Sequence, residues 1–146
     1  MPIFDKVSCF MKIVRYTAYL VRFVTYIMSK KKNVVKGPLT AEETQRATLV
    51  VVRLVQHETF QPEIRALKNG ADTRNRLNGL KAFVDPEDGI LRVGGRIKRA
   101  FIPYDSRHQM LLPAKHPITE SLVRYLHLQN LHIGQRGLLA IVRQRY

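Results

Sequence analysis

The chain has 146 residues and one cysteine, enough length for about one domain, and it cannot form an intramolecular disulfide. Its 25 Lys and Arg against 11 Asp and Glu give a formal net charge of +14, and half of this excess lies in residues 1–36. Such a surplus points to an anionic partner, namely nucleic acid, a membrane surface or an acidic protein. Cys9 fits neither a cysteine-rich zinc site nor a catalytic nucleophile, and a single thiol suits a reducing, intracellular compartment.

The first predicted element is an amphipathic helix over residues 10–28. Its apolar stripe comprises Phe10, Ile13, Val14, Leu20, Val21, Val24, Ile27 and Met28. Lys12, Arg15 and Arg22 interrupt the apolar run, so the segment predicts neither a transmembrane helix nor a secretory signal. We interpret it as a helix that packs on the core. The alternative is a basic helix that lies on a membrane or on a partner protein.

Candidate contacts to nucleic-acid phosphates lie at two places in the chain. Lys30, Lys31 and Lys32 follow the first helix in a polar linker that ends before residue 38. Arg143 and Arg145 lie near the end of the sequence. Charge runs of this kind usually face water, and the assignment therefore rests on the overall charge rather than on a motif.

Two further helices are predicted before residue 71. Thr40 and Glu43 fit a capping box, in which each residue's side chain accepts a hydrogen bond from the other's amide. The apolar face of this second helix comprises Ala47, Val50, Val51, Leu54 and Val55. Pro62 suits the first turn of a short third helix, and Gly70 is a typical residue to end it.

From residue 80 the residue types change, and the new pattern predicts a small antiparallel sheet. Residues that favour strands flank the turn sequence at 85–89, which predicts a hairpin. Gly94 and Gly95 indicate a bulge or a close backbone approach, and the run does not match the usual phosphate-binding loops. Residues 108–112 predict a third strand that ends at a proline.

The last part of the chain predicts a helical pair. The first helix covers residues 117–128, Gly134 and Gly137 break the pattern, and a second amphipathic segment covers residues 138–146. The sequence stops while the residues of this segment still follow helical spacing. We therefore expect the chain to be a truncated copy or a part of a longer protein.

His127 lies at the end of the first of these helices and His132 in the turn beyond it, with four residues separating them. This spacing allows both imidazoles to bind one zinc ion, although exposed or core-edge histidines are the alternative on spacing alone. A structural zinc site also needs two more ligands, usually thiolates. The carboxylates look like caps, turns or helix surface, so no catalytic metal site is expected and the chain is predicted to be no enzyme.

Five motifs follow one another in a specific order. They are GPLTAEE, VQHETFQPEIRALKNG, DGILRVGGRI, PYDSRHQMLLPAKHPITESLVRYLH and LHIGQRGLLAIVRQRY. This succession resembles the integrase zinc-binding segment of BEL/Pao-type retrotransposons, with the linker that precedes it. The resemblance covers residues 38–146 and reaches more loosely through the basic helix. Its most specific part is the combination of DGILRVGGR with PYDSRHQMLLP.

The resemblance implies roles for individual residues. His127 and His132 match the family's two histidine ligands, whereas its C-x2-C ligands and its catalytic Asp/Asp/Glu core have no counterpart in this sequence. Position 133 is Ile where the family usually has Gly. The implied function is a non-catalytic part of an integrase that binds DNA and supports multimerisation. The implied zinc is structural, and half a ligand set should hold it weakly or not at all.

These observations together predict an α+β fold in four segments: a basic helix and linker at 1–36, a helical linker region at 37–79, an antiparallel sheet at 80–116 and a partial zinc-binding unit at 117–146. An integrase fragment ranks first among the functional hypotheses. A metal-independent nucleic-acid binder ranks second, and membrane or partner binding through residues 10–28 ranks third. The expected partners are DNA in the parent protein and further copies of the chain, and neither a small-molecule substrate nor a membrane is expected.

Overall fold

The computed structural model describes residues 9–29, 36–70, 77, 79–94 and 103–146. Within these ranges the fold is α+β, as predicted, with six helices and one two-stranded antiparallel sheet. The elements are α1 Phe10–Met28, α2 Ala41–Thr59, α3 Gln61–Lys68, β1 Ala82–Val84, β2 Leu91–Val93, α4 Tyr104–Arg107, α5 Pro117–Gln129 and α6 Gln135–Val142. None of the described helices is both long enough and apolar enough to cross a membrane.

The predicted helix boundaries at α2 and α3 are confirmed. The amide of Thr40 donates to Glu43 Oε2 over 2.8 Å, and the amide of Glu43 donates to Thr40 Oγ1 over 3.2 Å. This reciprocal pair satisfies two amides that would otherwise lack partners at the helix start. Pro62 lies in the first turn of α3, and Gly70 follows its last turn with a left-handed φ of 75°.

The larger apolar cluster joins α1, α2 and α5. It comprises Phe10, Ile13, Val14, Ala18, Ala47, Val51, Val55, Ile118 and Leu122. The packing interpretation of α1 is therefore confirmed for its first half. It is wrong for the rest of the predicted stripe, because Leu20, Val24, Ile27 and Met28 are all more than half exposed.

The predicted apolar face of α2 is partly wrong. Leu54 is 44% exposed, whereas Gln56 is fully buried. The reason is that α2 packs on two sides: Val51 belongs to the cluster with α1 and α5, and Val52 belongs to a second cluster with Ile90 beside the hairpin. Because α2 contacts both clusters, the side of the helix that is buried differs from the side that its apolar stripe predicts.

The hairpin is confirmed, with Ala82 opposite Val93 and Val84 opposite Leu91. The close backbone approach expected at Gly94 is also confirmed, because its amide donates to the carbonyl oxygen of Lys81 over 2.7 Å. A Cβ at position 94 would lie only 3.2 Å from that oxygen. Position 95 lies outside the described residues.

The third strand predicted for residues 108–112 is wrong, because only a single bridge pairs Met110 with Arg92 of β2. The amide of Met110 points away from β2 and donates to the carbonyl of Arg145 over 3.0 Å. The carbonyl of Leu111 accepts from the side chain of Gln56 over 2.8 Å. The amides of Leu111 and Val93 still donate to the carbonyls of Leu91 and Gln109, but Gln56 takes the place of the direct bond from the amide of Leu91 to the carbonyl of Leu111.

The end of the chain also differs from the prediction. Gly134 precedes α6 as expected, but Gly137 lies inside this helix and does not break it. A Cβ at position 137 would clash with Cδ1 of Ile133, so glycine makes room for that side chain. The helix ends at Val142 rather than continuing to residue 146, because the backbone beyond it bonds to the segment around Met110.

Candidate functional site

The turn between α5 and α6 brings the two candidate zinc ligands together. Leu131 and His132 adopt left-handed backbone conformations, with φ values of 53° and 59°. Such conformations are unfavourable for residues other than glycine, by roughly 1–2 kcal/mol each. The amide of His132 donates to the carbonyl of His127 over 3.0 Å, which closes the turn. The two strained residues thus place the second imidazole beside the first.

The imidazoles lie close enough to share a proton or a metal ion. Nδ1 of His132 is 3.2 Å from Nε2 of His127, and the ring planes are nearly perpendicular at 77°. Nδ1 of His127 lies 3.2 Å from the carbonyl oxygen of Ile133. If the proton of the His127 ring is on Nδ1, this nitrogen donates a hydrogen bond to the carbonyl of Ile133. The lone pair of Nε2 can then accept a hydrogen bond or bind a metal.

The separation of these two nitrogens also matches a zinc coordination sphere. Zinc–nitrogen bonds of about 2.0–2.1 Å in a tetrahedron place two ligand nitrogens roughly 3.3–3.4 Å apart. The observed 3.2 Å between His132 Nδ1 and His127 Nε2 is close to this edge. Within the described part of the chain, no group of three or more His, Cys, Asp and Glu side chains is placed to hold a metal. The described residues therefore supply at most two ligands of such a sphere.

The space beside His127 is open. A groove of about 480 Å³ lies beside this side chain, and Glu120, Val123 and Leu138 also line it. Cys9, the only thiol of the chain, precedes α1 and is not part of this groove. Groups that complete a coordination sphere at His127 would have to approach from outside the described residues.

The candidate nucleic-acid contacts have different environments. Arg143 is exposed, whereas the side chain of Arg145 is only 31% exposed and its Nε lies 3.6 Å from Oδ2 of Asp105. Arg145 therefore has a structural partner, and Arg143 is the better placed of the two to meet a phosphate. The predicted contacts at Lys30, Lys31 and Lys32 lie outside the described residues.

Three carboxylates that the sequence assigned to turns and helix surface converge on one buried guanidinium. Arg92 is 3% exposed, and its nitrogens lie 3.0 Å from Asp85, 2.7 Å from Asp88 and 2.9 Å from Asp105. Burial alone would lower the pKa of Arg92, but its hydrogen bonds to Asp88 and Asp105 outweigh this and raise it. The hydroxyl of Tyr104 donates a hydrogen bond to Oδ2 of Asp85 over 2.9 Å. We call this group the Arg92 network.

Gln56 is the second buried polar side chain that sequence reasoning missed. Its Nε2 donates to the carbonyls of Leu91 and Leu111, each over 2.8 Å, and its Oε1 accepts from the amide of Leu91 over 2.7 Å. The side-chain amide of Gln56 thereby bridges the amide of Leu91 and the carbonyl of Leu111, which would bond to each other directly in a regular antiparallel ladder. Its position on α2, one residue after Val55, gives no sequence signal for this role.

A further ion pair ties α1 to the start of α2. Arg22 donates from Nε to Glu43 Oε1 over 2.7 Å, and its Nη1 donates to the carbonyl of Gly37 over 2.9 Å. The hydrogen bonds from Arg22, with that from the amide of Thr40, lower the pKa of Glu43 to about 2. Glu43 therefore serves the capping box and the α1–α2 contact with the same carboxylate.

Comparison with known proteins identifies no relative of the chain. It matches no family model, no curated protein and no solved structure. The functional assignment consequently rests on the chain's own residues, above all on the geometry of His127 and His132.

Proposed function

We propose that this chain is a non-catalytic part of a BEL/Pao-type retrotransposon integrase, and that His127 and His132 form one half of its structural zinc site. The observation that carries the proposal is the 3.2 Å separation of His132 Nδ1 and His127 Nε2, close to one edge of a zinc tetrahedron. In this role the metal stabilises a helical unit. The unit contributes to DNA binding and multimerisation in the parent polyprotein.

The Arg92 network supports the same proposal. The two most specific motifs of the resemblance are DGILRVGGR at 88–96 and PYDSRHQMLLP at 103–113. The first provides Asp88 and Arg92, and the second provides Asp105, whose carboxylate lies 2.9 Å from the guanidinium. A single buried charge network gives a physical reason for both motifs to occur in one chain, because removal of either would leave charges unpaired.

The test of the zinc half-site is a competition titration of the full chain against a chromophoric zinc chelator. We expect weak 1:1 binding, micromolar or weaker, because two histidines leave half of the coordination sphere to water. His127→Gln and His132→Gln should each abolish this binding. His57→Gln is the matched control, since His57 is exposed on α2, and it should leave the titration unchanged.

Two results of this titration would contradict the proposal. One is submicromolar affinity for the isolated chain, which would require a complete site elsewhere. The other is binding that survives both glutamine substitutions. Sequencing the transcript past the codon for Tyr146 is the complementary test, since an in-frame C-x2-C roughly 10–40 codons downstream would supply the two remaining ligands.

The second candidate function is metal-independent binding of nucleic acid, which the net charge of +14 favours. Fluorescence anisotropy with a labelled DNA duplex distinguishes this candidate function from the integrase proposal. Phosphate contacts predict that the logarithm of the affinity falls linearly with the logarithm of the salt concentration. An affinity that rises with zinc and falls in His127→Gln supports the integrase proposal. Steep salt dependence with no effect of zinc supports the alternative.

A further inference from the structure

The second half of α1 carries large apolar side chains that no described element covers. Six of them form what we call the outer face of α1: Tyr16, Tyr19, Leu20, Phe23, Val24 and Ile27. Each is between 52% and 62% exposed. With 3.6 residues per turn, these six positions fall within an arc of about 140°, on one side of the helix. A contiguous apolar surface of this kind usually marks an interaction site.

The charges of α1 are all of one sign. The helix contains Lys12, Arg15 and Arg22 and no acidic residue. Lys12 and Arg15 are exposed, and Lys12 falls within the arc of the outer face. Arg22 lies at the edge of the outer face: its Nη2 is 2.6 Å from Oε2 of Glu43 on α2, and its guanidinium carbon is 5.7 Å from the centre of the Tyr19 ring. The outer face therefore needs an occupant that is both apolar and negatively charged.

The same features argue against a second copy of the chain on this face. Two outer faces in parallel contact would bring Lys12 and Arg15 of both copies together without any carboxylate of α1 between them, and in either orientation each copy carries a formal charge of +14. An arc of about 140° is also wider than the narrow seam that pairs two helices in a coiled coil. A flat, wide surface fits the geometry better.

We propose that the outer face of α1 binds the surface of a bilayer that contains anionic lipid. Leu20, Phe23 and Ile27 enter the boundary between headgroups and acyl chains, to a depth of about 5–10 Å. The hydroxyls of Tyr16 and Tyr19 stay at the level of the headgroups. Lys12 and Arg15 extend to the lipid phosphates while their aliphatic stems cover apolar surface. The opposite side of the helix keeps its contacts with α2 and α5.

The test is co-sedimentation of the full chain with vesicles of phosphatidylcholine alone or mixed with phosphatidylserine. We expect binding to the mixed vesicles only. Phe23→Ser combined with Ile27→Ser should weaken it at least about tenfold, because both side chains leave the apolar layer. Both residues are more than half exposed, so the fold should persist, as circular dichroism can verify. Leu128→Ser is the matched control, 54% exposed on α5, and should bind as the unmodified chain does.

Three outcomes would overturn the inference. Equal binding to both kinds of vesicle would remove the role of Lys12 and Arg15. Unchanged binding of the Phe23→Ser, Ile27→Ser chain would place the contact elsewhere. A chain that binds neither vesicle, but sediments as a dimer that this double substitution dissociates, would assign the face to a second copy. None of these outcomes depends on zinc or DNA, so the inference and the proposed function fail separately.

Discussion

The Arg92 network and the His127–His132 turn differ in where their polar groups find partners. Arg92 is 3% exposed and its charge is matched by carboxylates of the hairpin turn and of α4. His132 is exposed, and its ring nitrogen approaches only that of His127. The first region is complete within the chain. The second holds two candidate ligand atoms in a strained turn, and in the proposed zinc site the remaining ligands would come from outside the described residues.

The surroundings of the two regions reinforce this difference. The hairpin region contains fully buried apolar residues such as Ile90 and Leu91, together with the buried amide of Gln56. By contrast, α6 has no buried residue. Burial of apolar area is the main source of folding free energy, so the hairpin region and α5, which buries Ile118 and Leu122, contribute more to stability than α6 does. Substitutions in each region should therefore have effects of different size and sign.

The largest effect is expected from Arg92→Met, which keeps an unbranched stem but is shorter and removes the charge. Asp85 and Asp88 would then lose the cation that they share, and Asp105 would keep only Arg145, whose Nε lies 3.6 Å from its Oδ2. Loss of one partner of a buried ion pair costs about 3–5 kcal/mol. Urea denaturation of the full chain should show a correspondingly lower free energy of unfolding.

The control for this change is Arg46→Met on α2. Arg46 pairs with Glu42 on the same helix, and both side chains are more than two-thirds exposed. Exposed pairs of this kind contribute about 0.3–0.5 kcal/mol. If both substitutions lowered the unfolding free energy equally, the Arg92 network would not be the structural centre that its burial indicates.

A smaller loss is expected from Gln56→Met, which has nearly the same shape but cannot form hydrogen bonds of this kind. The amide of Leu91 and the carbonyl of Leu111 would lose the partners that now lie 2.7 Å and 2.8 Å away. Unsatisfied buried groups cost about 1–3 kcal/mol. The same urea titration measures the effect. Gln45→Met, on an exposed position of α2, should change little; an equal loss there would assign the effect to helix propensity.

Local features of the fold could be predicted because their signals lie within a few residues of one another. The capping box of Thr40 and Glu43 and the turn that ends in Gly89 depend on neighbours in sequence. The roles of Gln56 and Arg92 could not be predicted. Gln56 bonds to residues 35 and 55 positions away, and Arg92 meets Asp105 across 13 positions. No local pattern distinguishes these partners from ordinary surface residues.

The candidate site shows the same limit. The spacing of His127 and His132 could be read from the sequence, and it allowed a shared metal ion, with exposed or core-edge histidines as the alternative. The 3.2 Å approach of their nitrogens could not, because it requires left-handed backbone at two residues that are not glycine. Leu131 is a branched aliphatic residue that sequence rules assign to other conformations. The sequence therefore identified the candidate residues, while the structure provides the distance between their nitrogens.

The smallest expected effect, and one of opposite sign, comes from Leu131→Gly. Leu131 is 91% exposed and has a left-handed φ of 53°, so its side chain adds strain and little packing. Glycine removes roughly 1–2 kcal/mol of strain and adds about 0.4–1 kcal/mol of conformational freedom to the unfolded chain. The net expectation is an unfolding free energy higher by about 0.5–1 kcal/mol. Leu128→Gly, in the regular helix α5, should instead lower it by about 1 kcal/mol.

The same variant separates folding from ligand placement. Glycine at position 131 also frees the turn, so His132 should spend less time beside His127 and the weak zinc affinity should fall. A higher unfolding free energy together with weaker zinc binding would mean that the strained backbone at Leu131 holds His132 beside His127. If Leu131→Gly destabilised the chain as much as Leu128→Gly does, contacts within the chain would hold the turn. The contrast between the two regions would then disappear, since both would be built to stabilise the fold.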